Sequence, residues 1–278
     1  MPAFQEISAT QLSRLIGTSQ CPALIDVRIP DDIAANPWMI PGSDFIPHAE
    51  IEAHAPSLQG KRVVVICHKG KKLSQGAAAW LRHSGVPAEH LAGGAIGWAE
   101  QELPRVPLSK LPPRDGQGRT VWVTRHRPKI DRIACPWLIR RFVDARAVFL
   151  FVAPSEVEDV AERFNATPFD VEGVHWSHRD DRCTFDVMLE EFSLTTEPLL
   201  RLADIVRGAD TARPELAPES AGLLAASLGL SRMFDDDLAQ LEAGMMLYDA
   251  FYRWSRDATG ETHDWPQHTS PSAKKKKA

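Results

Sequence analysis

At 278 residues, 44% of them hydrophobic and 25% charged, the chain is long enough for two domains that each bury a core. Thirty-seven acidic against 32 basic residues leave a net charge of −5, so no global positive field draws the chain to nucleic acid. No run reaches the roughly 18 uninterrupted apolar residues of a membrane-spanning helix, which excludes that class as well.

The start, MPAFQEISATQLSRLIG, has neither a basic leader nor an apolar signal core. Cys21, Cys67, Cys135 and Cys183 are scattered, without a C-x-x-C, and suit reduced thiols in a cytoplasmic protein rather than a disulfide framework. Up to about residue 105 short apolar runs alternate with helical segments. ALIDV at 23–27 and RVVVIC at 62–67 read as buried strands, and SQGAAAWLRHSG from Ser74 reads as a helix closed by Gly85. Such alternation predicts a mainly parallel sheet covered by helices over residues 1–106.

PLSKLPPRDGQGR at 107–119 is rich in Pro, Gly and charge and reads as a linker. In the second domain, 120–268, VWVTR at 121–125 and AVFLFV at 147–152 read as strands. The rest is mainly helical, an α+β composition. Residues 196–209 put Leu199, Leu200, Leu202, Ala203 and Ile205 on one face, 216–229 form a further helix, and 234–257 carry Leu238, Leu241, Met245 and Tyr248 at helical spacing. The Lys-rich end, 269–278, reads as a disordered tail.

The first chemical motif is the loop between the second strand and the helix that follows it. A parallel strand delivers Cys67 to its C-terminal edge, where such sheets bind ligands. The turn through Gly70 and the helix start offer successive amides from His68, Lys69, Gly70, Lys71, Lys72, Leu73 and Ser74 as an anion cradle. The same field and the three lysines favour a thiolate at Cys67.

IDVR at 25–28, IPG at 40–42, the Cys67 loop, and LAGGAIGW at 91–98 followed by Pro104 fall in the order found in rhodanese domains, which residues 5–106 resemble strongly. The resemblance implies an α/β sheet, a persulfide carried on Cys67, cradle amides from His68 to Leu73, and support of the loop by Asp26 and Arg28. Two departures stand out. Lys72 takes the place of the usual Arg, and Leu73 precedes Ser74, making the loop one residue longer. A longer loop resembles that of rhodanese-related phosphatases, but Leu73 replaces their arginine, so phosphoester turnover is not expected.

In the second half, Arg125, His126, Arg127 and Lys129 crowd a strand end, and Arg132 and Cys135 lie close by, with Pro136 as the first residue of the next helix. Cys135 is open to two readings, a thiol of lowered pKa or a structural core residue. His178, Cys183, Asp186 and Glu190 offer a mixed donor set for zinc or iron, although their spacing matches no standard metal module.

The segments TRHRPKIDRIACPWLIRRF, ATPFDVEGVHWSHRDDRCTFD, LADIVRGADT, LAPESAGLLAASLGLSRM and YDAFYRWSRDATGETHDW identify this half as a member of the ChrB-type chromate-resistance family. The expected function is therefore a chromate-resistance protein with sulfurtransferase chemistry at Cys67 on thiosulfate or chromate. That chemistry requires no cofactor, and the sulfur acceptor is left open. The alternative is a non-enzymatic chromate or metal sensor that regulates a resistance operon. An oxyanion hydrolase ranks third.

Overall fold

The computed structural model describes residues 5–262, so the tail at 269–278 and the last part of the expected second domain lie outside the described residues. In chain order the first part comprises β1 (Glu6–Ile7), α1 (Ala9–Ser13), β2 (Ala23–Asp26), α2 (Pro30–Ala35), β3 (Trp38–Met39), β4 (Ser43–Phe45), α3 (Ile51–His54), β5 (Val63–Ile66), α4 (Lys72–His83), β6 (Ala88–Leu91), α5 (Gly94–Glu100) and β7 (Val106–Pro107). Five strands lie in the order β1-β6-β5-β2-β4, every neighbouring pair parallel. This is the helix-flanked parallel sheet that the alternating pattern predicts.

The central strand, β5, is buried along its whole length, as a strand covered on both faces must be. Its side chains alternate between two cores. Val64 and Ile66 pack with Trp98 on one face, while Val63, Val65 and, just past the strand, Cys67 pack with Ala77, Ala78 and Leu81 of α4 on the other. Strand parity therefore points Cys67 at α4. That helix buries Ser74, Ala77, Ala78 and Leu81, the i, i+3, i+4, i+7 stripe of an amphipathic helix. It begins at Lys72, slightly ahead of the expected start near Ser74. It closes at Gly85 (φ 82°), with the Val86 amide donating to Leu81 O at 2.9 Å.

The second part comprises β8 (Val121–Arg125), α6 (Asp131–Phe142), β9 (Val148–Val152), α7 (Val157–Phe164), β10 (Thr167–Pro168), α8 (Thr184–Glu191), α9 (Glu197–Asp210), α10 (Ser220–Met233) and α11 (Asp237–Asp257). Its small parallel sheet runs β10-β8-β9, and helices make up most of the rest. Leu199, Leu202, Ala203 and Ile205 are buried as the spacing predicts, but Leu200 and Leu238 are exposed, each one step round the helix from the apolar stripe. The helix expected to open on Pro136 already begins at Asp131, so Pro136 lies in its interior, where it lacks an amide to donate.

Residues 107–119 are not a free tether. β7 pairs antiparallel with β3, Leu108 and Leu111 pack on the main core, and Lys110 Nζ reaches Glu191 at 2.7 Å. One continuous cluster of buried residues runs from Leu12 and Trp98 through Trp122 and Trp137 to Tyr252. Polar contacts add to it: the Gly42 amide donates to Phe142 O at 2.7 Å, and Asp44 takes Arg114 at 3.2 Å and Arg146 at 3.1 Å.

Candidate functional site

Cys67 sits on the floor of the loop that joins β5 to α4 and is only 4% exposed. Cys67 belongs to the same buried cluster as Val27, Val65, Ala77 and Ala78, and its sulfur meets the Ser74 hydroxyl at 3.1 Å. Ser74 in turn donates to Lys71 O at 3.2 Å. Gly70 turns the loop at φ 65°, where a Cβ would come within 2.5 Å of Leu91 O and 2.7 Å of the Gly93 and Gly94 nitrogens. The start of α5 then fastens the loop from below. Ala95 and Ile96 amides donate to Cys67 O at 2.9 Å and His68 O at 3.0 Å.

With those carbonyls taken, the amides are left over. Gln75, donating to Lys71 O at 2.9 Å, is the first amide of the helix to find a partner. From His68 to Ser74 the backbone N–H groups have no acceptor among the described residues. Lys69, Lys71 and Lys72 are exposed around them. His68 is half-buried, and its Nδ1 is buried without a partner. Leu73 packs against the α4-side core, so the residue that lengthens the loop serves packing and leaves the contact with sulfur to Ser74.

Asp26 and Arg28 stand one strand over, with Asp26 paired in register with Ile66. Both are buried; Arg28 Nε reaches Asp26 Oδ2 at 2.8 Å, and its other nitrogens reach Asn36 O at 3.1 Å and Trp38 O at 2.6 Å. They brace the sheet edge beside the loop and bond toward β3, not toward residues 68–74.

The second-domain residues divide. Arg125, at the end of β8, reaches Asp170 Oδ2 at 3.3 Å, and Arg132 Nε reaches the same oxygen at 3.3 Å. His126 is exposed, and the bond it accepts is at its carbonyl, from Arg132 at 3.1 Å. Cys135 is fully enclosed, and burial together with the charges of Asp131 and Asp170 pushes its thiol well above the ordinary range. The reading of Cys135 as a lowered-pKa thiol is thereby corrected: low dielectric and nearby anions both disfavour the thiolate.

The donor set His178, Cys183, Asp186 and Glu190 does not converge. Cys183 is buried at the N-cap of α8, where Asp186 Oδ2 accepts its amide at 3.0 Å, and burial raises its thiol. Asp186 Oδ1 is held by Arg207 at 2.7 Å, and Glu190 pairs with Arg182 at the surface. His178 faces elsewhere. Its Nε2 lies 3.5 Å from Asp131, 3.4 Å from Asp170 and 3.3 Å from Asp210.

Those three aspartates come from the first residue of α6, the turn after β10 and the last residue of α9. Hydrogen bonds to Asp131, Asp170 and Asp210 push His178 up to about 12. Burial, with the charges of Asp210 and Asp170, pushes Asp131 up. Burial alone would raise Asp170 too, but bonds from His178 and Thr184 and the charges of Arg132 and Arg125 outweigh it and hold Asp170 low. Asp131 Oδ2 also accepts the Thr184 amide at 2.6 Å, capping α8 from another element. Backbone strain accompanies the site: Ile130, just before Asp131, has φ 36°, and Asp170 has φ 50°. For a β-branched residue such a φ costs on the order of 1–3 kcal/mol.

Residues 8–101 match the rhodanese-like domain model, and residues 122–255 match the ChrB C-terminal domain. The Sulfurtransferase of Allochromatium vinosum is 30% identical over 102 residues, covering 36% of this chain and 94% of that protein. Protein ChrB of Cupriavidus metallidurans is 34% identical over 147 residues, 52% of this chain, and the match spans only 43% of ChrB's own length. Among solved structures, a rhodanese-related protein from Thermoplasma volcanium is 27% identical, covering 37% of this chain and 98% of that one, with a TM-score of 0.33. The chain belongs to the rhodanese-like family in its first part, and its second part matches the ChrB C-terminal domain model.

Proposed function

We propose that the protein serves chromate resistance in the cytoplasm through sulfurtransferase-type chemistry at Cys67. The observation that carries this reading is the run of acceptor-free amides from His68 to Ser74 above a thiol at a strand end. Oriented amides and the surrounding lysines suit a small tetrahedral dianion, a description that covers both thiosulfate and chromate. After Cys67 releases its proton to water, the thiolate attacks the outer sulfur of thiosulfate. A new S–S bond forms at Cys67, the S–S bond of thiosulfate breaks, and sulfite leaves with that electron pair. A small thiol then takes the outer sulfur by the same exchange and restores the thiolate.

Intact-mass spectrometry after thiosulfate treatment tests this. The expected result is an adduct of ~32 Da, one sulfur atom on the oxidation ladder of a thiolate, present on the wild type, absent from Cys67→Ser and suppressed by chromate. An unmodified wild type overturns the reading. A non-enzymatic sensor is the second reading, favoured by the separate charged cluster around His178. Chromate-dependent retardation of operator DNA by Cys67→Ser as well as by wild type would support it.

A further inference from the structure

We propose that Asp131, Asp170, Asp210 and His178 form a binding site for a divalent transition-metal ion. Donor atoms of Asp131, Asp170 and His178 all lie within 4.8 Å of one another, and Asp210 reaches the same His178 nitrogen at 3.3 Å. Asp170 and His178 come from the connection between β10 and α8, Asp131 from the start of α6 and Asp210 from the end of α9, so the fold and not a local turn assembles the donors. The 3.3–3.5 Å from Nε2 to the three carboxylates suits ligands of a single ion. Two donors each about 2.1 Å from a tetrahedral centre are about 3.4 Å apart.

A second observation points to a cation independently. Asp131 is fully buried, and its Oδ1 has no hydrogen-bond partner. A buried carboxylate oxygen left unpaired is costly, and a metal ion meets that need. The two arginines at the cluster both attach to Asp170. Among the described residues Asp131 and Asp210 have no Lys or Arg within ion-pair distance and share only His178. The half-exposed His178 ring leaves the site a route to solvent.

Three carboxylates and one imidazole form a hard-to-borderline donor set, which suits manganese(II) or iron(II); the thiolates that favour softer ions lie outside it. The site is independent of the Cys67 loop. The sequence reading expected zinc or iron at His178 with other partners; the donors here are three aspartates.

The test is manganese(II) uptake by the EDTA-stripped full chain, followed by loss of the free-ion EPR signal and by thermal denaturation. Wild type is expected to take up one ion per chain with a raised midpoint. Asp210→Asn and His178→Gln are each expected to weaken uptake by roughly 100-fold or more, since even outer-sphere substitutions at metal sites cost 10–100-fold. Asp210 holds no amide or arginine, so Asp210→Asn keeps the fold, checked by circular dichroism. Wild type that leaves manganese free at about 1 mM, weaker than any structural metal site, overturns the proposal. So does equal uptake by both variants. Displacement of manganese by equimolar magnesium overturns the transition-metal assignment.

Discussion

The Ser74 hydroxyl stands 3.1 Å from the Cys67 sulfur, and among the described residues no other side-chain hydroxyl bonds to that thiol. Strand parity and the helix stripe make the pair: Cys67 shares its face with Val63 and Val65, and Ser74 opens the buried stripe of α4. With Cys67 as a thiol the Ser74 hydroxyl donates to Lys71 O and can accept from sulfur. Once Cys67 is ionised the hydroxyl turns to donate to the thiolate, a charge-assisted bond worth about 1.5–3 kcal/mol. Ser74→Ala is expected to slow alkylation of Cys67 by iodoacetamide at neutral pH by roughly tenfold, the lower end of that range. An unchanged rate would remove Ser74 from the thiolate's support.

The loop owes its shape to two glycines. A Cβ on Gly94 would stand 2.2 Å from Cys67 O and 2.3 Å from the Gly70 nitrogen, both backbone atoms that cannot swing aside. Gly94 also has φ 59°, a conformation that an alanine adopts only with strain. Gly94→Ala is therefore expected to cost about 2 kcal/mol or more in urea unfolding, the clash adding to a penalty of order 1 kcal/mol for the left-handed backbone. It is also expected to abolish the persulfide adduct, because the loop that carries the acceptor-free amides is displaced from Gly94. Gly76→Ala, in the same region but with open space at its Cβ, is the control and is expected to leave both properties intact.

These two sites differ in how far the sequence revealed them. The Cys67 loop was legible because its donors are consecutive: strand, turn glycine and helix start follow each other in the chain, and their geometry is local. The sheet was legible for the same reason, through continuous β-branched burial at Val63–Ile66 and the stripe on α4. The cluster at His178 was half-read. His178 drew notice, but its partners Asp131, Asp170 and Asp210 stand far apart in the chain among other acids such as Glu172 and Asp204, and only the packing of α6 and α9 against the turn after β10 brings them together. Cys183 and Asp186, close to His178 in sequence, bond to each other and to Arg207 instead. The start of α6 was misplaced because a proline after Cys135 reads locally as a helix opening, and tertiary burial carried the helix through it.

Thiol chemistry separates the cysteines. Burial pushes Cys21 up to about 12 and raises Cys135 and Cys183 well above the ordinary range. The expected outcome with iodoacetamide at pH 8 is modification of Cys67 alone in the native chain, read by peptide mapping. All four thiols become labelled in about 6 M guanidinium, where burial is lost. Native labelling of Cys135 at a rate matching Cys67 would contradict the enclosed core around α6.

Glu191 links the 107–119 segment to α8, where it receives Lys110 at 2.7 Å and Arg179 at 2.7 Å. Hydrogen bonds from Lys110 and Arg179 hold its carboxyl down at about 2. In the unfolded chain a glutamate titrates near 4.3, so the folded state binds this proton less readily. The resulting stability is fully present above roughly pH 5 and disappears as the pH falls toward 2. Because the pair is partly exposed, its worth is about 1 kcal/mol. Glu191→Gln is expected to lower unfolding free energy by that amount at pH 7, and its urea midpoint is expected to converge on wild type as the buffer is taken toward pH 2. A deficit that stays constant across that range would mean Glu191 acts by packing and not by charge, and the tie between the segment and α8 would rest on Leu108 and Leu111 instead.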